Sequence, residues 1–287
     1  LNKKNLSIIT CKAPPNFLPP RAPVDYKPTP RNLTTRQDVN QPEKRSASLS
    51  PRVEYADFSP AISTTNILLV PYEKSHVTTY HAWMQDPHIQ EATASEPLSL
   101  DEEYAMQQSW RSDHDKLTFI ACLPLPSSES IPAQIRGGEH DAAERMIGDV
   151  NLFLSSADED EEGCIGELEL MIAPTAARRK GYGRATVITF LHYIQIHLDD
   201  ILNEYKRKLG MDKMRLLQLR VKIGSKNEKS FALFESLGFI KVHESPNYFG
   251  EFELVLEGFI GEERTRGLLE RWRVEGYREL EYVAVDK

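Results

Sequence analysis

Four basic residues and two glycines fall within seven positions at Arg178-Arg179-Lys180-Gly181-Tyr182-Gly183-Arg184. An apolar run, Glu167-Leu-Glu-Leu-Met-Ile-Ala173, and Pro174 precede them, and residues 185–194 follow with helical periodicity. The order strand, glycine turn, helix start is that of an anion site, because the first N–H groups of a helix are free and its dipole is positive there. A glycine in the first turn costs about 1 kcal/mol against alanine, which is tolerable where a ligand must approach the backbone closely. A phosphate is the expected ligand, with Arg178, Arg179 and Lys180 either supplying positive charge to it or forming a solvated helix entrance. No Gly-Lys-Ser or Gly-Lys-Thr follows, so this is not a P-loop. The third glycine and the acidic ribose partner of a dinucleotide fingerprint are also missing.

Glu167 and Glu169 share one face of the preceding strand by its period of two. They are candidate general bases, directly or through water, or else a solvent-facing pair held by neighbouring cations. The eight histidines include His76 with His81 and His192 with His197, neither pair at ligand spacing, so no metal is expected. Three widely spaced cysteines make neither a disulfide framework nor a zinc ribbon, which fits a reducing compartment.

The net charge of −8 over 287 residues argues against general binding to nucleic acid or anionic membrane and favours cationic partners. No apolar run approaches the ~20 residues that span a bilayer, and the start of the chain lacks the apolar core of a signal peptide. Length and composition suit one or two globular domains with a sizeable core.

The elements that must position these residues read as follows. Residues 1–63 are rich in proline and polar residues without periodicity and are expected to be a disordered extension. Strands are expected near residues 66–72, 117–123, 146–154, 165–173, 216–223, 239–243 and 252–256. Helices are expected over 75–85, 100–112, 185–194 and 228–237, and in part over 199–215. Ser99 with Glu102 forms a capping-box pattern ahead of the second, and Gly238 a C-terminal cap for the helix over 228–237. Residues 124–145 read as a long surface insertion and Asp158-Glu-Asp-Glu-Glu162 as an acidic hairpin loop. Residues 259–287 read as a charged, helical tail. The fold class is α/β of the mixed α+β kind: a single sheet of about seven strands flanked by helices over residues 64–258.

Arg178, Gly181 and Gly183 match the acetyl-CoA signature of the GNAT family of N-acetyltransferases, Arg/Gln-x-x-Gly-x-Gly/Ala. Asn227, Ser230 and Phe231-Ala-Leu-Phe-Glu-Ser-Leu-Gly-Phe239 resemble that family's fourth helix and following strand. The resemblance covers roughly residues 64–258. Thr93-Ala-Ser-Glu-Pro97, Glu103-Tyr-Ala-Met-Gln107, Gly148-Asp-Val-Asn-Leu-Phe-Leu154 and Gly166-Glu-Leu-Glu-Leu-Met-Ile-Ala173 look like the N-acetyltransferase-nine branch, linked to tubulin N-terminal acetylation.

What the resemblance implies is direct acetyl transfer from acetyl-CoA to an amine, foremost a protein N-terminus and tubulin among the acceptors, in the cytoplasm or nucleus. A small-amine acetyltransferase, or a CoA-binding scaffold with little catalysis, are the other readings. By the same resemblance, backbone groups from Arg179 through Lys180, Gly181, Tyr182 and Gly183 to Arg184 hold the pyrophosphate. Leu170, Met171 and Ile172 pair with the pantetheine arm, Asn227 bonds the cofactor, and Ser230 lies near the sulfur, unless both serve as helix caps. Glu167 resembles the base of Rim-type relatives. The sequence departs from the family at Phe234, where many members carry a tyrosine acid; Ser230, a water or no acid must then serve.

Overall fold

The computed structural model describes residues 60–93, 95–126, 132–157, 160–259 and 261–285. Residues 1–59, on which most of the expected extension falls, lie outside the described residues. Ten strands form one sheet: β1 (Ala61–Ser63), β2 (Leu68–Pro71), β3 (Lys116–Cys122), β4 (Gln134–Arg136), β5 (Met146–Ala157), β6 (Asp160–Ile172), β7 (Arg215–Gly224), β8 (Ile240–Lys241), β9 (Glu251–Glu257) and β10 (Arg278–Val283). Their order is β4-β10-β1-β2-β3-β5-β6-β7-β9-β8. Among the described residues seven α-helices flank it: α1 (Val77–Met84), α2 (Pro87–Thr93), α3 (Leu100–Ser112), α4 (Tyr182–Ile196), α5 (Leu198–Leu209), α6 (Glu228–Ser236) and α7 (Glu262–Arg271).

The mixed sheet with flanking helices is the fold class expected, with more strands than the seven anticipated. The additional ones, β1, β4 and β10, are short or charged. The one or two apolar residues of β4 and β1 carry no periodicity, and Arg278-Glu-Leu-Glu-Tyr-Val283 reads as polar until its neighbours are known. The expectation of a helical tail holds for α7 and fails for β10, which pairs antiparallel with β1 and parallel with β4. The sheet therefore continues beyond residue 258. Within the acidic run, Asp160 to Glu162 belong to β6 rather than to a loop ahead of Ile165, and Asp160 is ion-paired with Arg215 of β7; residues 158 and 159 lie outside the described residues. Residues 124–145 are likewise more than a surface insertion. Asp141 within them is buried, accepting from the Tyr282 hydroxyl at 2.6 Å and bonded to His76 Nε2 at 2.9 Å.

Two apolar layers sandwich the sheet. On one face β5 contributes Val150, Leu152 and Leu154 and β6 contributes Leu168, Leu170 and Ile172, packed against α4, α5 and α7. Residues 185–194 of α4 are all buried, because the helix is covered by the sheet on one side and by α5 and α7 on the other. At roughly 1.5–3 kcal/mol per large apolar side chain, this layer fixes α4 and hence its N-terminus. On the opposite face Val70, Tyr72, Ile120 and Met171 pack under α1 and α2, with Tyr104 and Trp110 of α3 against them. The Ser99–Glu102 capping box is formed, Ser99 N donating to Glu102 Oε2 at 2.8 Å.

Candidate functional site

The pairing of β6 with β7 stops halfway. Gly163 to Glu167 run parallel to Arg215 to Arg220, with Glu167 opposite Arg220. Beyond that rung β6 continues along β5 to Gly148↔Ile172, and β7 continues along β9 to Gly224↔Glu251. The two strands thus splay, leaving an opening between the end of β6 and the end of β7. Strand alternation turns successive backbone edges to opposite neighbours. The Met171 carbonyl points at β5, so close to Gly148 that a β-carbon there would sit 1.8 Å from it. Leu170, one residue back, therefore turns its amide edge to the opening.

Two helix starts meet at this opening. Gly181 is the N-cap of α4 with φ +88°, a left-handed conformation that a side chain would strain, and an added β-carbon would enter open space. Gly183 lies in the first helical turn. A β-carbon there would meet Leu170 at 3.4 Å, Ile172 at 3.6 Å and Leu233 of α6 at 3.9 Å, ordinary van der Waals distances. Neither backbone conformation nor internal packing demands glycine at 183, and an alanine would favour the helix by about 1 kcal/mol. What glycine provides there is a bare backbone beside the opening. This fits a phosphate-bearing ligand whose pyrophosphate lies on the N–H groups of the first turn. Asn227, at the start of α6, accepts from Ser230 N at 3.3 Å through its side-chain oxygen and is a true helix cap. Ser230 is buried in that helix's first turn.

The bases of the turn divide into three groups. Arg178 donates from Nε to Ile172 O at 2.8 Å and from Nη2 to Ala173 O, so it fastens the turn to the end of β6. Arg179 and Lys180 are exposed, and neither forms an ion pair among the described residues. Arg179 holds a positive φ of 63°. Arg184 turns away from the turn: its Cζ lies 3.7 Å from the centre of the Trp272 ring, and desolvation followed by Arg271 lowers its pKa. Tyr182 packs partly buried against the larger core layer.

Glu167 stands at the closed end of the splay. Its Oε2 accepts from Arg220 Nε at 2.9 Å and from Lys222 Nζ at 2.8 Å. Both contacts fall on the same carboxylate oxygen, so Glu167 is held as an ion-paired group by two side chains of β7. Glu169, two residues on, is buried on the same face. Phe234 is fully buried, edge-on to Phe239 with ring centres 5.1 Å apart, so it belongs to the core.

Residues that sequence reading did not single out as functional share the face of Glu167 and Glu169. Tyr72 N donates to Thr118 O at 3.4 Å, Thr118 lies opposite Asn151, and Asn151 opposite Glu169. This polar row crosses the sheet from the end of β2 to β6. Asp149 lies beside it, opposite Met171, and is 3% exposed. Asn151 Nδ2 donates to Asp149 Oδ2 at 2.8 Å. Burial pushes the Asp149 carboxyl up to about 7, against the lowering effect of hydrogen bonds from Asn151 and Tyr80. Burial also raises Glu103 of α3, opposed by His81. The available signal was the alternation Asp149-Val150-Asn151-Leu152: a period-two polar pair in a strand long enough to be central.

A family model of the acetyltransferase (GNAT) domain matches residues 66–240. The N-acetyltransferase 9-like protein of Schizosaccharomyces pombe is 41% identical over 213 residues, covering 67% of this chain and 93% of that protein. The human alpha/beta-tubulin-N-acetyltransferase 9 is 38% identical over 206 residues, covering 71% of this chain and 86% of that protein. Among solved structures, the spermidine N-acetyltransferase of Vibrio cholerae in complex with CoA and spermine is 16% identical with a TM-score of 0.49, covering 70% of this chain and 98% of that one.

Proposed function

The chain belongs to the GNAT family and is an acetyl-CoA-dependent N-acetyltransferase; from that premise we propose that its acceptor is the α-amino group at the N-terminus of a protein, tubulin among the candidates. The observation that carries the donor half is the splay of β6 from β7 beside the bare first turn of α4. In this reading the N–H groups from Arg179 to Arg184 hold the pyrophosphate, with the exposed Arg179 and Lys180 neutralising it. The pantetheine arm pairs with Leu170 in the opening, and Met171 and Ile172 line it. Asn227 and Ser230 close the opposite wall. The acetyl donor supplies an activated thioester, and the chain's task is to orient it and to present a neutral nitrogen.

Two considerations support an α-amine. At pH 7 an α-amino group with pKa about 8 is roughly one-tenth neutral, whereas a lysine near 10.4 is neutral about once in a few thousand molecules. The relatives named alpha/beta-tubulin-N-acetyltransferase 9 share 37–41% of aligned residues with this chain. A tubulin N-terminus as acceptor would favour the cytoplasm as the compartment, with the nucleus as the alternative. Incubation of the purified protein with acetyl-CoA and a library of N-terminal peptides, with thiol release as the readout, tests the reading. Turnover with peptides carrying a free α-amine is expected. Turnover with small amines alone would overturn the peptide reading, and binding of acetyl-CoA without turnover would favour a scaffold.

A further inference from the structure

Among the described residues, four buried side-chain oxygens on one face of the sheet have no hydrogen-bond partner: Tyr72 Oη, Thr118 Oγ1, Asp149 Oδ1 and Asn151 Oδ1. Unpartnered buried polar atoms are rare in folded proteins and require an explanation. These four are not scattered. They come from β3, β5 and the end of β2: three of their residues lie on the row that leads to Glu169, and Asp149 lies beside it. All four accept hydrogen bonds, and one is a carboxylate oxygen. A protonated amine, with three N–H donors and a positive charge, is the complementary group.

We propose that Asp149 receives the acceptor amine and takes its proton, with Asn151 and Tyr80 as the positioning residues that hold the carboxylate. The inference rests on the amine-acetylating activity and deepens the α-amine reading above. Asp149 faces Met171 across β5 and β6, beside the strand edge at which the thioester is expected. Asn151 holds one carboxylate oxygen and leaves the other unpartnered. By contrast, Glu167 is already committed to Arg220 and Lys222.

The step balances without any further reagent. The ammonium gives one proton to Asp149 Oδ1. The freed nitrogen lone pair forms the C–N bond at the thioester carbonyl, and the C–S bond breaks. The second proton lost by nitrogen ends on the departing sulfur, and Asp149 returns its own to solvent. The groups that bear on Asp149 are Tyr80 from α1, Tyr72 from the end of β2, Asn151 on β5 and Glu169, its diagonal neighbour on β6. Glu103 of α3 acts from further off, joined to the cluster through Tyr72, whose ionisation burial, Glu103 and Asp149 all oppose. None of these is a cation, and a carboxyl raised by its burial to about 7 is matched to proton uptake near neutral pH.

The test compares wild type with Asp149→Asn on a peptide α-amine across pH, with acetyl-CoA affinity measured alongside. The variant should lose about 100-fold or more in kcat near pH 7 and keep its affinity for acetyl-CoA. The deficit should narrow above pH 8, where the α-amine sheds its own proton. A deficit independent of pH, or one matched by lost cofactor affinity, would overturn the proposal. Asn151→Leu gives a second route, because removing the donor to the carboxylate should move the acidic limb of kcat/KM to higher pH; an unmoved limb would contradict it. If wild type acetylates only small primary amines, the α-amine reading falls, and the same comparison on such an amine decides the role of Asp149 by itself.

Discussion

At the α4 end of the cleft the chain offers backbone, while on the face of β5 and β6 it offers side chains. The first turn of α4 carries two glycines, and the nearby Arg178 and Arg184 are turned to other tasks, one on strand carbonyls and one on Trp272. What remains is a row of N–H groups fixed by a helix whose residues 185–194 are all buried, suited to a ligand whose anionic part is always the same. Across the opening, Asp149, Asn151, Thr118 and Tyr72 present unpartnered oxygens, and the Asp149 carboxyl among them titrates near neutral pH. On the proposed assignment the contrast follows from the two ligands. A donor is held once and uniformly, whereas an acceptor must be bound, deprotonated and released, which requires groups that titrate.

The contrast can be broken most forcefully at Gly183. A carboxylate placed there by Gly183→Asp lies on the proposed anion site, and acetyl-CoA affinity should fall by about 100-fold or more. The space around that β-carbon is ordinary, so the melting temperature should stay close to wild type. Unchanged affinity in a titration would remove the phosphate assignment.

On the other face the expected sign is reversed. The folded pKa of Asp149 is raised above that of an unfolded aspartate, so the folded state binds the extra proton. Stability from this group is greatest below the unfolded value near 4 and declines as pH rises through about 7. Asp149→Asn should therefore gain roughly 2–4 kcal/mol at pH 8 while losing activity, which denaturant unfolding at two pH values would show. Destabilisation instead would make Asp149 a structural residue and dissolve the contrast.

Arg178→Ala should cost about 1–3 kcal/mol by stranding the carbonyls of Ile172 and Ala173, and should weaken acetyl-CoA binding through the loosened turn. Stability unchanged in chemical denaturation would mean that the guanidinium is free to serve phosphate. The smallest effect is expected at Glu167. Glu167→Gln breaks a half-buried pair of ion contacts, for about 1 kcal/mol, and should leave the acidic limb of the rate profile in place. Loss of that limb would transfer the base role from Asp149 to Glu167.

The two regions also differ in how far the sequence revealed them. The donor side was legible because backbone binding leaves a visible trace: glycines where helix propensity disfavours them, between an apolar strand and an apolar helix. Asn227 and Gly238 were legible for the same reason, as local conformational markers. The acceptor side depends on register. Arg220 lies 53 residues from Glu167 in sequence, and only the parallel rung joining β6 to β7 turns a candidate base into an ion-paired carboxylate. Tyr72, Thr118 and Asn151 form a row only once β2, β3 and β5 are aligned. The strand β10 was hidden because its charged residues are accommodated by neighbours that no local pattern records, His197 pairing with Glu279 at 2.9 Å among them.

Amide hydrogen exchange with and without acetyl-CoA reads the backbone groups at the edge of β6 and the start of α4 themselves. The account predicts added protection at Leu170 and at residues 181–184, with no comparable change at the paired amides of Asp149 and Asn151. Protection confined to other segments, with the first turn of α4 and Leu170 exchanging as before, would contradict it.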